Sequence, residues 1–153
     1  MNMKKLSMAL TTLFGIGLLI FNSCGTVPIT GRRQLNLVSD GEILAASATQ
    51  YRQFISKSQL SHNSTYNNKV TQVGRRLAAA TNIYLKQNGY ESMLSTLNWE
   101  FNVVDSKQVN AFCMPGGKIV VYTGLLNLVG NGSHSDDELA AVMGHELSHA
   151  LAK

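Results

Sequence analysis

Near the end of the chain, in "GHELSHALAK", His145, Glu146 and His149 have the residue types and spacing to do chemistry. Two histidines four residues apart rise about 6 Å along an α-helix, so their imidazoles point to one side. At that spacing two neutral ring nitrogens can share one Zn2+ at about 2.0–2.1 Å. Glu146 lies about 100° round the helix from His145, which places it beside the ion rather than on it. A carboxylate there can take a proton from an activated water and return it to a leaving amine, while the metal polarises the scissile carbonyl. The pattern fixes only three positions, and its bland counterpart is two partly exposed histidines and a glutamate on a surface helix. The surroundings favour zinc: Gly144 lies just ahead of the motif, and the helix is amphipathic and follows a strand hairpin.

The elements that must position these residues are legible from periodicity. Ser135 and Glu138 have capping-box spacing at the start of the last helix, and Asp136, Asp137 and Glu138 suit its dipole. Leu139, Val142, Met143, Leu147, Ala150 and Leu151 give that helix an apolar stripe. Upstream, "NAFCM" and "KIVVY" read as strands joined by Pro115, Gly116 and Gly117, which predicts an antiparallel hairpin. Trp99, Phe101 and Val103 alternate with Asn98, Glu100 and Asn102, the pattern of a half-buried strand. "TGLLNLV" predicts a short helix or turn, and "GNGSHS" a loop. A first helix is expected over 40–57, opened by Ser39 and Glu42. A second is expected over 65–87, with Tyr66, Val70, Val73, Leu77, Ala80 and Tyr84 on one face and Gly89 as its stop. His62 falls in the polar break between them and reads as an exposed loop residue. The order helix, helix, strand, hairpin, helix predicts a small α+β domain with a mixed or antiparallel sheet.

The start of the chain reads differently. Lys4 and Lys5 precede the uncharged run "LSMALTTLFGIGLLIF", followed by small or polar residues and Cys24. This is the layout of a secretory signal over 1–23, and the run is shorter than the roughly 20 residues a membrane span needs. "FNSC" resembles a lipobox, which makes Cys24 a candidate lipidation site and 24–38 a tether to a domain over 39–153. The alternative use of Cys24 is a disulfide with Cys113; with lipidation, Cys113 is a small buried hydrophobe. Without Lys4 and Lys5, the 13 basic side chains exceed the 9 acidic ones by only about two. Arg32–Arg33 and Arg75–Arg76 are isolated pairs without interleaved aromatics, so nucleic-acid binding has little support.

Taken together, "VNAFCMPGGKIVVYTGLLNLV" and "DDELAAVMGHELSHALAK" resemble the core of the CAAX prenyl protease and HtpX-like family of zinc metallopeptidases. The similarity extends to its bacterial envelope lipoprotein branch, related to BepA and LoiP, whose opening "PITGRRQLNLVSDGE" resembles, and it covers most of the chain from Cys24 to Lys153. The resemblance implies a zincin-like fold and one Zn2+ per complete domain, with His145 and His149 as ligands and Glu146 as catalytic base. It matches Asn110 and Ala111 to an Asn-Ala pair on a strand beside the active helix, where substrate backbone is held by β-augmentation. Taken alone, Asn110 could equally be a turn residue at a strand start.

The family's third ligand is a glutamate on a helix downstream of the motif, and this sequence stops before such a helix. Glu138 is about 10.5 Å along the helix from His145, too far to share an ion; Asp136, Asp137 and His134 fail likewise. Glu91, Glu100 or Asp105 would serve only if the fold brought one of them in. The chain is therefore expected to be the N-terminal part of a longer peptidase, with weak zinc binding and little turnover alone. The expected function is an endopeptidase acting on misfolded or surplus envelope proteins, lipid-anchored in a bacterial outer membrane and facing the periplasm. Its partners would be polypeptide substrates and the membrane. The alternatives are a non-catalytic envelope lipoprotein that binds or chaperones proteins, and a purely structural metal site.

Overall fold

A computed structural model describes residues 24–26, 29, 31, 33–35 and 38–152. The expected signal over 1–23, Arg32 and Lys153 lie outside the described residues. The chain divides into two compact units, Met1–Ser39 and Asp40–Lys153. In the first, β1 (Cys24–Thr26) pairs antiparallel with β2 (Arg33–Leu35), Cys24 opposite Leu35. The stretch expected as a tether thus carries a small two-stranded pairing.

The second unit contains α1 (Asp40–Lys57), α2 (Ser64–Gln87), α3 (Glu91–Leu94), β3 (Glu100–Val104), β4 (Ala111–Met114), β5 (Lys118–Tyr122), α4 (Thr123–Val129) and α5 (Ser135–Ala152). The α+β class, the N-terminal helices and the small mixed sheet are as expected; α3 is an addition. Asn63 caps α2, its side chain accepting from the Tyr66 N–H at 3.2 Å. At the other end, Tyr90 N–H reaches Leu85 O at 2.8 Å and Gly89 N–H reaches Lys86 O at 3.3 Å, with Gly89 at φ 77°. Those two bonds make a Schellman stop, and the left-handed residue it requires is the glycine.

The sheet order is β3-β5-β4. β5 pairs antiparallel with β4 across the expected hairpin and parallel with β3. β3 is half-buried over Glu100, Phe101 and Asn102, as expected, and is buried on both faces only at its end, Val103 and Val104. Val103 joins Ala111, Ile119 and Val121 in a core with Val70 and Val73 of α2 and Leu139 and Met143 of α5. On the opposite face Val104 and Val120 pack with Tyr51 of α1, with Phe54, Phe112 and Tyr122 around them. The period of two along each strand assigns odd residues to the α2/α5 side and even ones to the α1 side.

Two details of α2 depart from expectation. Its buried face is Val70, Val73, Gly74, Ala78 and Leu85, whereas Ala80 is exposed and Tyr84 is 45% exposed. Contact with β3 sets the face: a Cβ on Gly74 would stand 2.4 Å from the Phe101 ring, so the helix and strand approach through the missing side chain. Lys69, on the same helix, holds the start of α5. Its ammonium donates to Gly130 O at 2.8 Å and Ser135 Oγ at 2.6 Å, and pairs with Asp136 at 3.6 Å. This corrects the capping box. Glu138 N–H bonds His134 O, so Ser135 already lies inside the helix and its hydroxyl serves Lys69.

Candidate metal centre

The α5 helix buries Ser135, Leu139, Met143 and Leu147. Those residues recur at i, i+4, i+8 and i+12, so the helix has one inward stripe. Full burial of leucine or methionine is worth about 1.5–3 kcal/mol each, enough for this stripe to fix the helix's rotation. His145 and His149 are off the stripe and exposed, whereas Glu146 is half-buried. Gly144 faces Leu77 of α2, where a Cβ would stand 3.7 Å from the leucine Cδ2, an ordinary contact.

The two Nε2 atoms of His145 and His149 are 3.1 Å apart, with the rings edge to face at 4.5 Å between centroids. Two bonds of about 2.0–2.1 Å at a tetrahedral angle would bring nitrogens to roughly 3.3 Å. The pair therefore fits zinc as two of its ligands. Among the described residues no group of three or more His, Cys, Asp or Glu side chains could hold a metal. Of the acids the fold might have brought in, Glu91 opens α3, Asp105 donates its N–H to Gln59 O, and Glu100 pairs with Lys118. None joins the histidines.

β4 is an edge strand: no other strand borders its free side among the described residues. Tyr122 N–H donates to Asn110 O at 3.0 Å, which makes that pair a hydrogen-bonded one. Alternation in an antiparallel ladder then turns the N–H and C=O of Ala111 and Cys113 towards the open edge. Asn110 is exposed and Ala111 is buried at the first position of the strand. α5 packs on this strand. Burial pushes the Cys113 thiol up to about 12, and the charge of Glu146 adds to the shift. The charge of half-buried Glu146 is thus felt at β4, while His145 and His149 are exposed. The side chain of Cys24, the alternative disulfide partner, lies outside what is described, and Cys113 is free. Its place beside Glu146 was hidden in the sequence, where its only signal was an odd position on the same strand as Ala111.

Residues 64–153, more than half of the chain, match the sequence model of peptidase family M48. The chain belongs to peptidase family M48. It is thereby a member of a zinc metallopeptidase family. It is 50% identical over 68 residues to the mitochondrial metalloendopeptidase OMA1 of Arabidopsis thaliana, covering 44% of this chain and 13% of that one. It is 32% identical over 142 residues to the mitochondrial metalloendopeptidase OMA1 of Danio rerio, covering 91% of this chain and 27% of that one. The metalloprotease LoiP of Escherichia coli is 43% identical over 49 residues, covering 32% of this chain and 18% of that one. The chain thus spans about a quarter or less of the length of these curated relatives.

These matches correct the expected location. OMA1 proteins described as mitochondrial, from plant, fish and mammals, match this M48 chain, so placement in a bacterial outer membrane is overturned. Because the matches include both OMA1 and LoiP, they establish M48 membership without separating the lipoprotein branch from the OMA1 branch. No helix among the described residues is long and apolar enough to cross a membrane.

Proposed function

We infer that this M48 chain supplies the zinc-binding helix and the substrate-holding strand of a metal-dependent endopeptidase. One observation carries the reading: His145 and His149 present their Nε2 atoms 3.1 Å apart on the exposed side of α5, the helix that packs on edge strand β4. His145 and His149 would hold the ion. Zinc, when bound, supplies Lewis acidity at a carbonyl and lowers the pKa of water. An extended polypeptide adds to β4 through the outward N–H and C=O of Ala111 and Cys113, with Asn110 at the open end of the strand. That pairing lays the peptide beside Glu146, whose carboxylate accepts a proton from the attacking water and delivers it to the leaving amide nitrogen. Backbone pairing reads no side chain, so unfolded or surplus polypeptides that offer an extended segment are the substrate class.

The test compares proteolysis of an unfolded polypeptide by the protein and by Glu146→Gln, with bound zinc measured in both. Loss of general-base catalysis predicts a fall of about 100-fold or more with zinc retained. Equal rates with equal zinc would exclude Glu146 as the base.

A further inference from the structure

The face of the sheet turned away from the histidines carries a second assembly of charged side chains. Glu100 on β3 and Lys118 on β5 are register partners on the α1 side. A cavity of about 290 Å3 opens there between α1, the segment 96–98, the hairpin turn and the first residues of both strands. Lys118 lines it and is 7% exposed, the one charged residue among the buried ones described. Its ammonium donates to Asn98 O at 2.6 Å and to the Glu100 carboxylate, and stands 5.8 Å from the centre of the Tyr51 ring. An ammonium has three N–H donors. Two are taken by oxygens, and beyond the face of the Tyr51 ring the third has no oxygen or nitrogen acceptor among the described residues.

The pair is only partly buried: the Lys118 side chain is enclosed while that of Glu100 is 44% exposed, and both line the cavity. Arg52 lines the same cavity from the exposed side of α1 and commits one guanidinium nitrogen to Thr49 Oγ1 at 3.3 Å. Two cations and one carboxylate give the lining of the cavity a net positive charge. Leu44 and Pro115 add apolar wall.

We propose that this cavity binds a small carboxylate, held between the third N–H of Lys118 and the guanidinium of Arg52, with its aliphatic body against Leu44 and Pro115. The single excess charge selects a monoanion over a phosphate dianion, which Glu100 would repel. The carboxylate belongs either to a free short-chain acid or to the C-terminus of a polypeptide. The site is separated from the metal centre by the sheet and does not rest on the peptidase reading.

The full chain, kept metal-free with a chelator, is titrated with butyrate, with a short apolar peptide bearing a free C-terminus, and with the same peptide amidated, while backbone amide shifts are followed by NMR. Saturable shifts at Tyr51, Arg52, Asn98 and Lys118 are expected with at least one of the acids and none with the amide. Butyrate alone, or both acids alike, would identify a small acid; the free peptide alone would identify a chain terminus. Arg52→Gln, on an exposed helix face, is expected to weaken binding about tenfold by removing a charge-assisted hydrogen bond. The proposal is overturned by no saturable shift with either acid, by the amide binding as tightly, by inorganic phosphate binding more tightly, or by unchanged affinity in Arg52→Gln.

Discussion

A thiol raised to about 12 stays protonated near neutral pH, so Cys113 is a packing residue rather than a nucleophile. The sign of its effect on stability follows from linkage. From about pH 9, its ordinary value, to about pH 12, the unfolded chain has released the proton and the native chain still holds it. The native state binds more protons in that window, so stability falls as pH rises through it. Denaturant unfolding from pH 8 upwards should show this decline, and Cys113→Ala should show a shallower one. At pH 8, alkylation of Cys113 should be slow in the native protein and fast once it is unfolded. The Cys113 neighbourhood was only half legible in the sequence: small and apolar described it correctly, but the charge beside it comes from a residue 33 positions away. Glu100 makes the same point: its partner Lys118 is revealed only when β3 pairs parallel with β5.

At the scale of elements, local signals were read well and long-range ones were not. The bounds of α1 and β5 and the stop of α2 at Gly89 follow from periodicity and from a glycine at positive φ. The start of α5 at Ser135 was read correctly, but not its capping: Lys69, 66 residues upstream, takes the hydroxyl that the capping box needed. The approach to β4 depends on another glycine. A Cβ on Gly124 would stand 2.3 Å from Gln108 O and 2.5 Å from Lys107 O, both backbone atoms. Gly124→Ala must therefore displace the segment leading to Asn110, or α4 itself, and overpacking of this kind costs about 1–3 kcal/mol. The midpoint of urea unfolding should fall accordingly, and amide exchange should quicken in β4. Gly144→Ala, whose Cβ would make only an ordinary contact with Leu77, should leave the midpoint within about 0.5 kcal/mol of the parent. The mixed sheet itself was foreseen, but not that the end of β3 is covered on both faces, because alternation of Trp99, Phe101 and Val103 with asparagine and glutamate hides the packing of Asn102 against Tyr51. Asn102 Nδ2 donates to the Tyr51 hydroxyl at 2.6 Å and so spends its polarity inside.

For the whole molecule, a site made by folding ties metal affinity to stability. His145 and His149 converge only while α5 is helical, so zinc held by them as proposed would bind the native chain in preference to the unfolded one and should raise its melting temperature in a concentration-dependent way. At 100 times the dissociation constant the gain is about 2.7 kcal/mol; chelator should reverse it, and His149→Ala should abolish it. The convergence of His145 and His149 was the most legible part of the proposed site because both rings lie within five residues of one helix. Its relation to the edge strand was legible only through resemblance, since the hairpin and the helix come together by packing rather than by any local pattern. The most direct test is zinc titration of the protein combined with X-ray absorption at the zinc edge, in the parent, His145→Ala, His149→Ala and Glu146→Gln. The account predicts one zinc with two imidazole nitrogens in the parent and in Glu146→Gln, and loss of that signature in each histidine variant. Two-imidazole zinc persisting in either histidine variant would contradict it.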